Sequence, residues 1–120
     1  MSIVVAVPDS AEGARALSVA VAEAELLGTD LVVVNLGLRP LNTSACGEVT
    51  VVNRSGRDDQ DQAEVVLDLV DERKASRLVI CLKRRSPVGK ALLGSVSQQL
   101  LLRSPVPVLA VKLDEAEEDS

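Results

Sequence analysis

Residues 78–98, Leu78-Val-Ile-Cys-Leu-Lys-Arg-Arg-Ser-Pro-Val-Gly-Lys-Ala-Leu-Leu-Gly-Ser-Val-Ser-Gln98, decide the fold. The apolar run Leu78–Leu82 predicts a strand buried on both faces, as strands of parallel sheets are. Lys83, Arg84 and Arg85 follow, and Ser86-Pro87 are turn formers. Gly89-Lys90 lead to Gly94-Ser95-Val96-Ser97, which opens an amphipathic helix that stops at Pro105. A strand, a basic Gly/Ser loop and a helix N-terminus make up an α/β anion site. Free backbone N–H groups and the positive end of the helix dipole face the mouth of such a loop. Arg84, Arg85 and Lys90 add full charges. A plain βα connection with solvated cations has the same spacing, and spacing alone leaves both readings open.

The flanking elements repeat the α/β pattern. Ile3–Val7 is a short β-branched run ended by Pro8-Asp9-Ser10, where Asp9 or Ser10 can cap a helix. Ala11 to Leu27 has helical periodicity, with Ala14, Leu17, Val21 and Ala24 expected on the buried stripe. Glu12, Arg15, Glu23 and Glu25 are expected to face outward, and Gly28 to cap the end. Asp30–Leu36 predicts a second strand, and two strands joined by one helix form a right-handed βαβ unit. Gly37 to Gly47 has only weak structure signals, and Glu48–Val52 predicts an outer strand. About a dozen residues is near the minimum for a parallel crossover, so the helix normally expected there is missing or vestigial.

Farther along, Ala63, Val66, Leu67 and Val70 recur at helical spacing, with Glu64, Asp68, Asp71 and Glu72 opposite. Those carboxylates suit an ordinary solvated helix face better than a metal or acid/base cluster. Ala75-Ser76-Arg77 is expected to turn into the Leu78–Leu82 strand. The helix after Gly94 carries Val96, Leu100 and Leu101 before Arg103-Ser104-Pro105. Val106–Lys112 predicts the last strand, with Pro107 near its start or on an edge. Residues 1–113 thus form one α/β domain, an open, doubly wound, five-stranded parallel sheet shortened by loss of its second helix. Residues 114–120 form an acidic tail expected to be disordered. Ligands of such sheets bind beyond the carboxyl ends of the strands, at the switch point.

Composition excludes whole classes of function. The chain of 120 residues is 47% hydrophobic, enough for a single core. It contains no Phe, Tyr or Trp, so it has no aromatic platform for single-stranded nucleic acid. Its net charge of −5 argues against duplex binding, and no nucleic-acid partner is expected. With no His, it lacks Ser-His-Asp and Cys-His nucleophile systems and His-based metal sites. Cys46 and Cys81 are expected to stay reduced, and Cys81 is either a small buried strand residue or a thiol activated by nearby cations. No export signal or membrane span is recognised, so a soluble cytoplasmic protein is expected.

The run Ser86-Pro-Val-Gly-Lys-Ala-Leu-Leu-Gly-Ser-Val-Ser97, with the closing Ser104-Pro-Val-Pro-Val-Leu-Ala-Val111, resembles the universal stress protein family. The likeness is to small single-domain members found in high-GC Gram-positive bacteria, and it runs essentially end to end. It implies an adenine nucleotide alpha hydrolase-like fold and, in one branch of the family, a nucleotide pocket built on Gly-x2-Gly-x9-Gly-(Ser/Thr). Anchored on Gly94-Ser95, that motif places its first two glycines on Cys81 and Arg84. Ser95, Val96 and Ser97 match the phosphate-contacting helix start. Leu36 matches the position whose backbone reads adenine. The acidic residue after the first strand falls on Pro8 by strict count, or on Asp9 with a one-residue shift. Arg84, Arg85, Ser86, Gly89 and Lys90 would form an altered, more basic cradle.

Three functions follow from these expectations. The first is a stress-response protein binding ATP, with or without Mg, and at most a slow hydrolase because no general base is visible. The second is a dimeric interaction module without nucleotide. The resemblance implies a homodimer through the last strand, Val106–Val111, and that segment is apolar enough for it. The third, a phosphotransferase, would need a metal-binding carboxylate beside the loop, and only Asp9 is near.

Overall fold

The computed structural model describes residues 2–8, 11–37, 41, 43, 47, 49–53, 59–82 and 95–111, without the side chains of residues 11, 12, 59–61 and 95. The strands are β1 (Ser2–Val7), β2 (Asp30–Asn35), β3 (Thr50–Asn53), β4 (Ala75–Cys81) and β5 (Val108–Val111). The helices are α1 (Ala11–Leu27), α2 (Asp59–Glu72) and α3 (Ser95–Arg103). All strand pairs are parallel, in the order β3-β2-β1-β4-β5. The architecture is the open, doubly wound sheet expected. Every residue of β1 is buried because the sheet continues on both sides and helices cover both faces.

Alternation along β1 divides the core. Ile3, Val5 and Val7 join Leu31, Val33, Val79, Cys81 and Val111 beneath α1. Val4 and Ala6 join Val32, Val34, Leu78 and Ile80 beneath α2 and α3. In α1 the buried stripe is Gly13, Ala16, Ala20 and Ala24, and Ala14 is exposed, contrary to expectation. Gly13 and three alanines let the helix lie close to the β-branched sheet, and Leu17 and Val21 flank the contact half-buried. Glu23 is half-buried as well, because its Oε2 accepts from Arg77 Nη1 of β4 at 3.0 Å. The helix ends as Gly28 predicts. Gly28 has φ +63°, its N–H donates to Glu25, and the Thr29 N–H donates to Ala24 at 3.0 Å, which is a Schellman motif.

In α2, Ala63, Val66 and Val70 are buried while Glu64, Asp68, Asp71 and Glu72 are exposed, as the periodicity predicts. The expected turn at Ala75-Ser76-Arg77 lies earlier. Arg73 and Lys74 make it, with Lys74 at φ 51°, so Ala75 already begins β4. In α3, Leu100 is fully buried and Val96 half-buried, but Leu101 is exposed. Two consecutive helical residues point about 100° apart, and only one fits the narrow seam against α2 and the sheet. β5 is an edge strand with Pro107 immediately before it, in keeping with the missing ladder donor.

Leu41 and Val49, on the connection between β2 and β3, pack half-buried on the α1-side core. The other expectations for that connection, the capping roles of Asp9 and Ser10, and the acidic tail at 114–120 lie outside the described residues. No helix among the described residues is long and apolar enough to cross a membrane.

Candidate functional site at the carboxyl rim

The strand order reverses between β1 and β4, the switch point of the sheet. β1 pairs with β2 through Val7↔Asn35, but with β4 only as far as Val5↔Val79. The next pairing, Val7↔Cys81, would need an N–H from Pro8, which has none, so the ladder ends one step short of the carboxyl rim at the switch point. This is the crevice in which doubly wound sheets hold ligands.

Two walls of the opening are fixed by hydrogen bonds. On the β2 side, Leu36 N–H donates to Val7 O at 2.9 Å, which continues the ladder one residue past the strand. Buried Asn35 holds the chain as it leaves the sheet. Its Oδ1 accepts from Gly37 N–H at 3.0 Å, and its Nδ2 donates to Asn53 Oδ1 at 3.2 Å. On the β4 side, Leu82 N–H donates to Val111 O at 2.8 Å. Leu78 N–H likewise donates to Pro107 O, so Leu78 and Leu82 point their backbone groups at β5. Backbone groups alternate along a strand, so the Cys81 carbonyl points the other way, into the opening toward β1. It accepts a hydrogen bond there from Ser97 Oγ of α3 at 2.9 Å. The first turn of α3, whose N–H groups have no partner within the helix and which carries the positive dipole end, is thereby tied to the mouth of the crevice.

The expected site residues separate into three groups. Pro8, Leu36, Cys81, Val96 and Ser97 are brought to one rim by β1, β2, β4 and α3. Ser95 opens α3 at the same rim. Asp9, Arg84, Arg85, Ser86, Gly89, Lys90 and Gly94 lie outside the described residues, as does Cys46. The Cys81 side chain is 5% exposed and packs in the core beneath α1. It is the buried strand residue of the two alternatives, with no disulfide, and its carbonyl is the atom offered to the crevice.

Two further residues shape the rim. A Cβ on Gly13 would overlap the carbonyl oxygen of Pro8 and approach its carbonyl carbon to 3.0 Å, so only glycine lets α1 start directly against the end of β1. The available signal was a glycine in the first turn of a helix, where propensity disfavours it. Asn35 was signalled by a polar residue closing the apolar run 31–34.

Among the described residues, two hollows lie away from the carboxyl rim. One, about 330 Å³, runs along α1 between Arg15 and Leu26. The other, about 340 Å³, lies at the amino end of the sheet between Thr29 and Arg77. The Arg77–Glu23 ion pair links the two linings. Among the described residues no group of three or more Cys, Asp or Glu could hold a metal ion.

Residues 38–112 match the family model described as the Universal stress protein family. A universal stress protein of Mycolicibacterium smegmatis is 56% identical over 52 residues, which is 43% of this chain and 40% of that protein. The match thus spans well under half the length of that curated relative. Among solved structures, a universal stress protein from Archaeoglobus fulgidus superposes with a TM-score of 0.69 at 28% identity, covering 93% of this chain and 98% of that one. A structure of the universal stress protein from Archaeoglobus fulgidus in complex with dAMP superposes with a TM-score of 0.64 at 26% identity, over the same shares of both chains.

Proposed function

Because the chain belongs to the universal stress protein family, we propose that it is a regulatory stress-response protein that binds an adenine nucleotide in the crevice between β1 and β4. The observation that carries this reading is the reversal of strand order between β1 and β4, with the start of α3 tied to the Cys81 carbonyl at that rim. A relative of the same fold was solved with dAMP, which supports the choice of an adenine nucleotide. The base lies toward Leu36 and Pro8. The phosphates lie on the backbone N–H groups at Gly94–Val96, with Arg84, Arg85 and Lys90 supplying charge. Any Mg ion arrives on the phosphates, since the described residues offer no carboxylate cluster for it. The role is binding rather than catalysis, in a cytoplasmic setting.

Isothermal titration with ATP, with and without Mg, after removal of co-purified nucleotide, tests the reading. Saturable micromolar binding that is lost in Ser95→Leu is the expected result. Absence of heat up to millimolar ATP overturns it.

One observation favours a second reading, a dimeric interaction module. β5 is an edge strand whose Val108 and Leu109 are half-buried, and Leu101 and Leu102 of the neighbouring α3 are exposed. Pairing of two β5 edges across a two-fold axis covers that surface. The two readings are compatible, because the crevice and the β5 edge are separate features of one sheet.

A further inference from the structure

We infer that Asn35 is a positioning residue for the base of the nucleotide: its side-chain amide braces the exit from β2, so that the backbone of Leu36 and Gly37 is in place before the ligand arrives. The inference rests on the nucleotide reading above and names the residue that sets affinity at one end of that site.

Asn35 is out of keeping with its position. Leu31–Val34 before it are apolar and buried, as a strand covered on both faces requires. Asn35 is buried as deeply, at 2% exposure, yet carries an amide, and strands are poor in asparagine. A buried amide is costly unless it is hydrogen-bonded. A valine would complete the run without that cost, so the sheet by itself does not call for asparagine. Departures of this kind from the local pattern are characteristic of functional sites.

The two bonds of the amide say what it does there. Its Oδ1 accepts from Gly37 N–H at 3.0 Å, two residues along the chain, which closes an Asx turn. Its Nδ2 donates to Asn53 Oδ1 at 3.2 Å, and Asn53 is its direct partner in the parallel register with β3. One side chain thus joins the end of β2, the turn that follows it and the end of β3. Leu36, between the two residues of the turn, donates its N–H to Val7 O at 2.9 Å and packs half-buried on the α2 side. The backbone at 35–37 is therefore held from β1, from β3 and by its own turn. Leu36 is also the residue toward which the base lies in the proposed site. A wall that is already ordered binds more tightly than one that must be ordered by the ligand. Asn35 needs no contact with the ligand for this, because it acts through Gly37 and Leu36. The phosphates lie at the start of α3, which is tied to β4 on the other side of β1, so the base end alone should feel the brace.

The experiment compares Asn35→Leu, Asn35→Asp and Asn53→Ala with the parent protein. Leucine has the size of asparagine without the amide. Aspartate keeps the acceptor for Gly37 N–H, and Asn53 can turn its own amide to donate to it. Adenosine, ATP and inorganic triphosphate are titrated by calorimetry, and hydrogen exchange at Gly37 is followed without ligand. Loss of the brace in Asn35→Leu predicts adenosine and ATP about threefold to tenfold weaker. Inorganic triphosphate should stay within about twofold, and exchange at Gly37 should accelerate. Asn35→Asp should restore both readouts. Asn53→Ala, at an exposed residue, keeps the test open should Asn35→Leu fail to fold, and should show the same split in smaller measure. Unchanged adenosine affinity or unchanged Gly37 exchange in Asn35→Leu overturns the inference, as does unchanged adenosine affinity in Asn53→Ala. Equal loss of adenosine and triphosphate makes Asn35 a purely structural residue and overturns it too. A parent protein that binds none of the three compounds overturns the nucleotide reading itself, and the positioning role with it.

Discussion

Replacing Gly13 by alanine sets two effects of opposite sign against each other. In an exposed helix the change stabilises by about 0.5–1 kcal/mol, because glycine loses more backbone entropy and has the poorer propensity. Here the added methyl overlaps the Pro8 carbonyl oxygen and comes within 3.0 Å of its carbon and 3.2 Å of its Cδ. The obstacle is backbone at the end of the central strand, not the tip of a flexible side chain. Either the first turn of α1 lifts from the sheet or β1 moves within a core where Ile3, Val5 and Val7 are fully or almost fully buried. Overpacking of this kind costs about 1–3 kcal/mol, so the net expectation is a loss of about 1–2 kcal/mol. For a domain of this size that lowers Tm by roughly 3–10 °C. With no aromatic residue in the chain, intrinsic fluorescence is unavailable and far-ultraviolet circular dichroism in urea is the assay. Ser18→Ala, exposed on the same helix, is the control and should stabilise by a few tenths of a kcal/mol. A Gly13→Ala protein as stable as the parent, or more so, would refute the claim that α1 docks on Pro8 at a glycine-only distance. The displaced end of β1 is also a wall of the crevice, so ATP affinity should fall together with stability.

Gly28→Ala meets no atom within 4 Å but must hold φ +63°, so it should cost about 1 kcal/mol in urea unfolding, and Gly28→Asn should cost less. Leu100→Ala removes the one fully buried leucine of α3 and should cost about 2–5 kcal/mol, with ATP affinity falling because the helix start loosens. Ala110→Pro tests the dimer. Val111 and Pro107 direct their carbonyls to β4, so Ala110 faces the free edge and the substitution removes an outward donor while sparing the sheet. Sedimentation velocity should show the parent as a dimer and this variant as a monomer; an unchanged dimer places the interface elsewhere.

The strands β1, β2 and β4 were legible because uninterrupted apolar runs of four or five residues suit a strand covered on both faces. The limits of α1 were legible because Pro8 and Gly28 punctuate a helical pattern, and backbone preferences at those residues are local. The family likeness placed Pro8, Leu36, Cys81 and Ser95–Ser97 in one site, and the fold brings those residues to one rim. The phase of the α1 stripe was not legible. Alanines occur all round that helix, and a methyl carries too little apolar area for periodicity to tell Ala14, exposed, from Ala16, buried. Only docking against β1 selected the face.

The same division explains the site. Residue type and spacing determined that a strand, a basic loop and a helix start would follow one another, since each depends on neighbours in the chain. What each polar atom bonds depended on distant partners. Ser97 meets the Cys81 carbonyl where α3 starts over the end of β4, Glu23 meets Arg77 across 54 residues, and Asn35 meets Asn53 through the parallel register. A hydroxyl or amide is satisfied by whichever partner lies within about 3 Å in the folded chain, and that distance exists only once the sheet order β3-β2-β1-β4-β5 has formed.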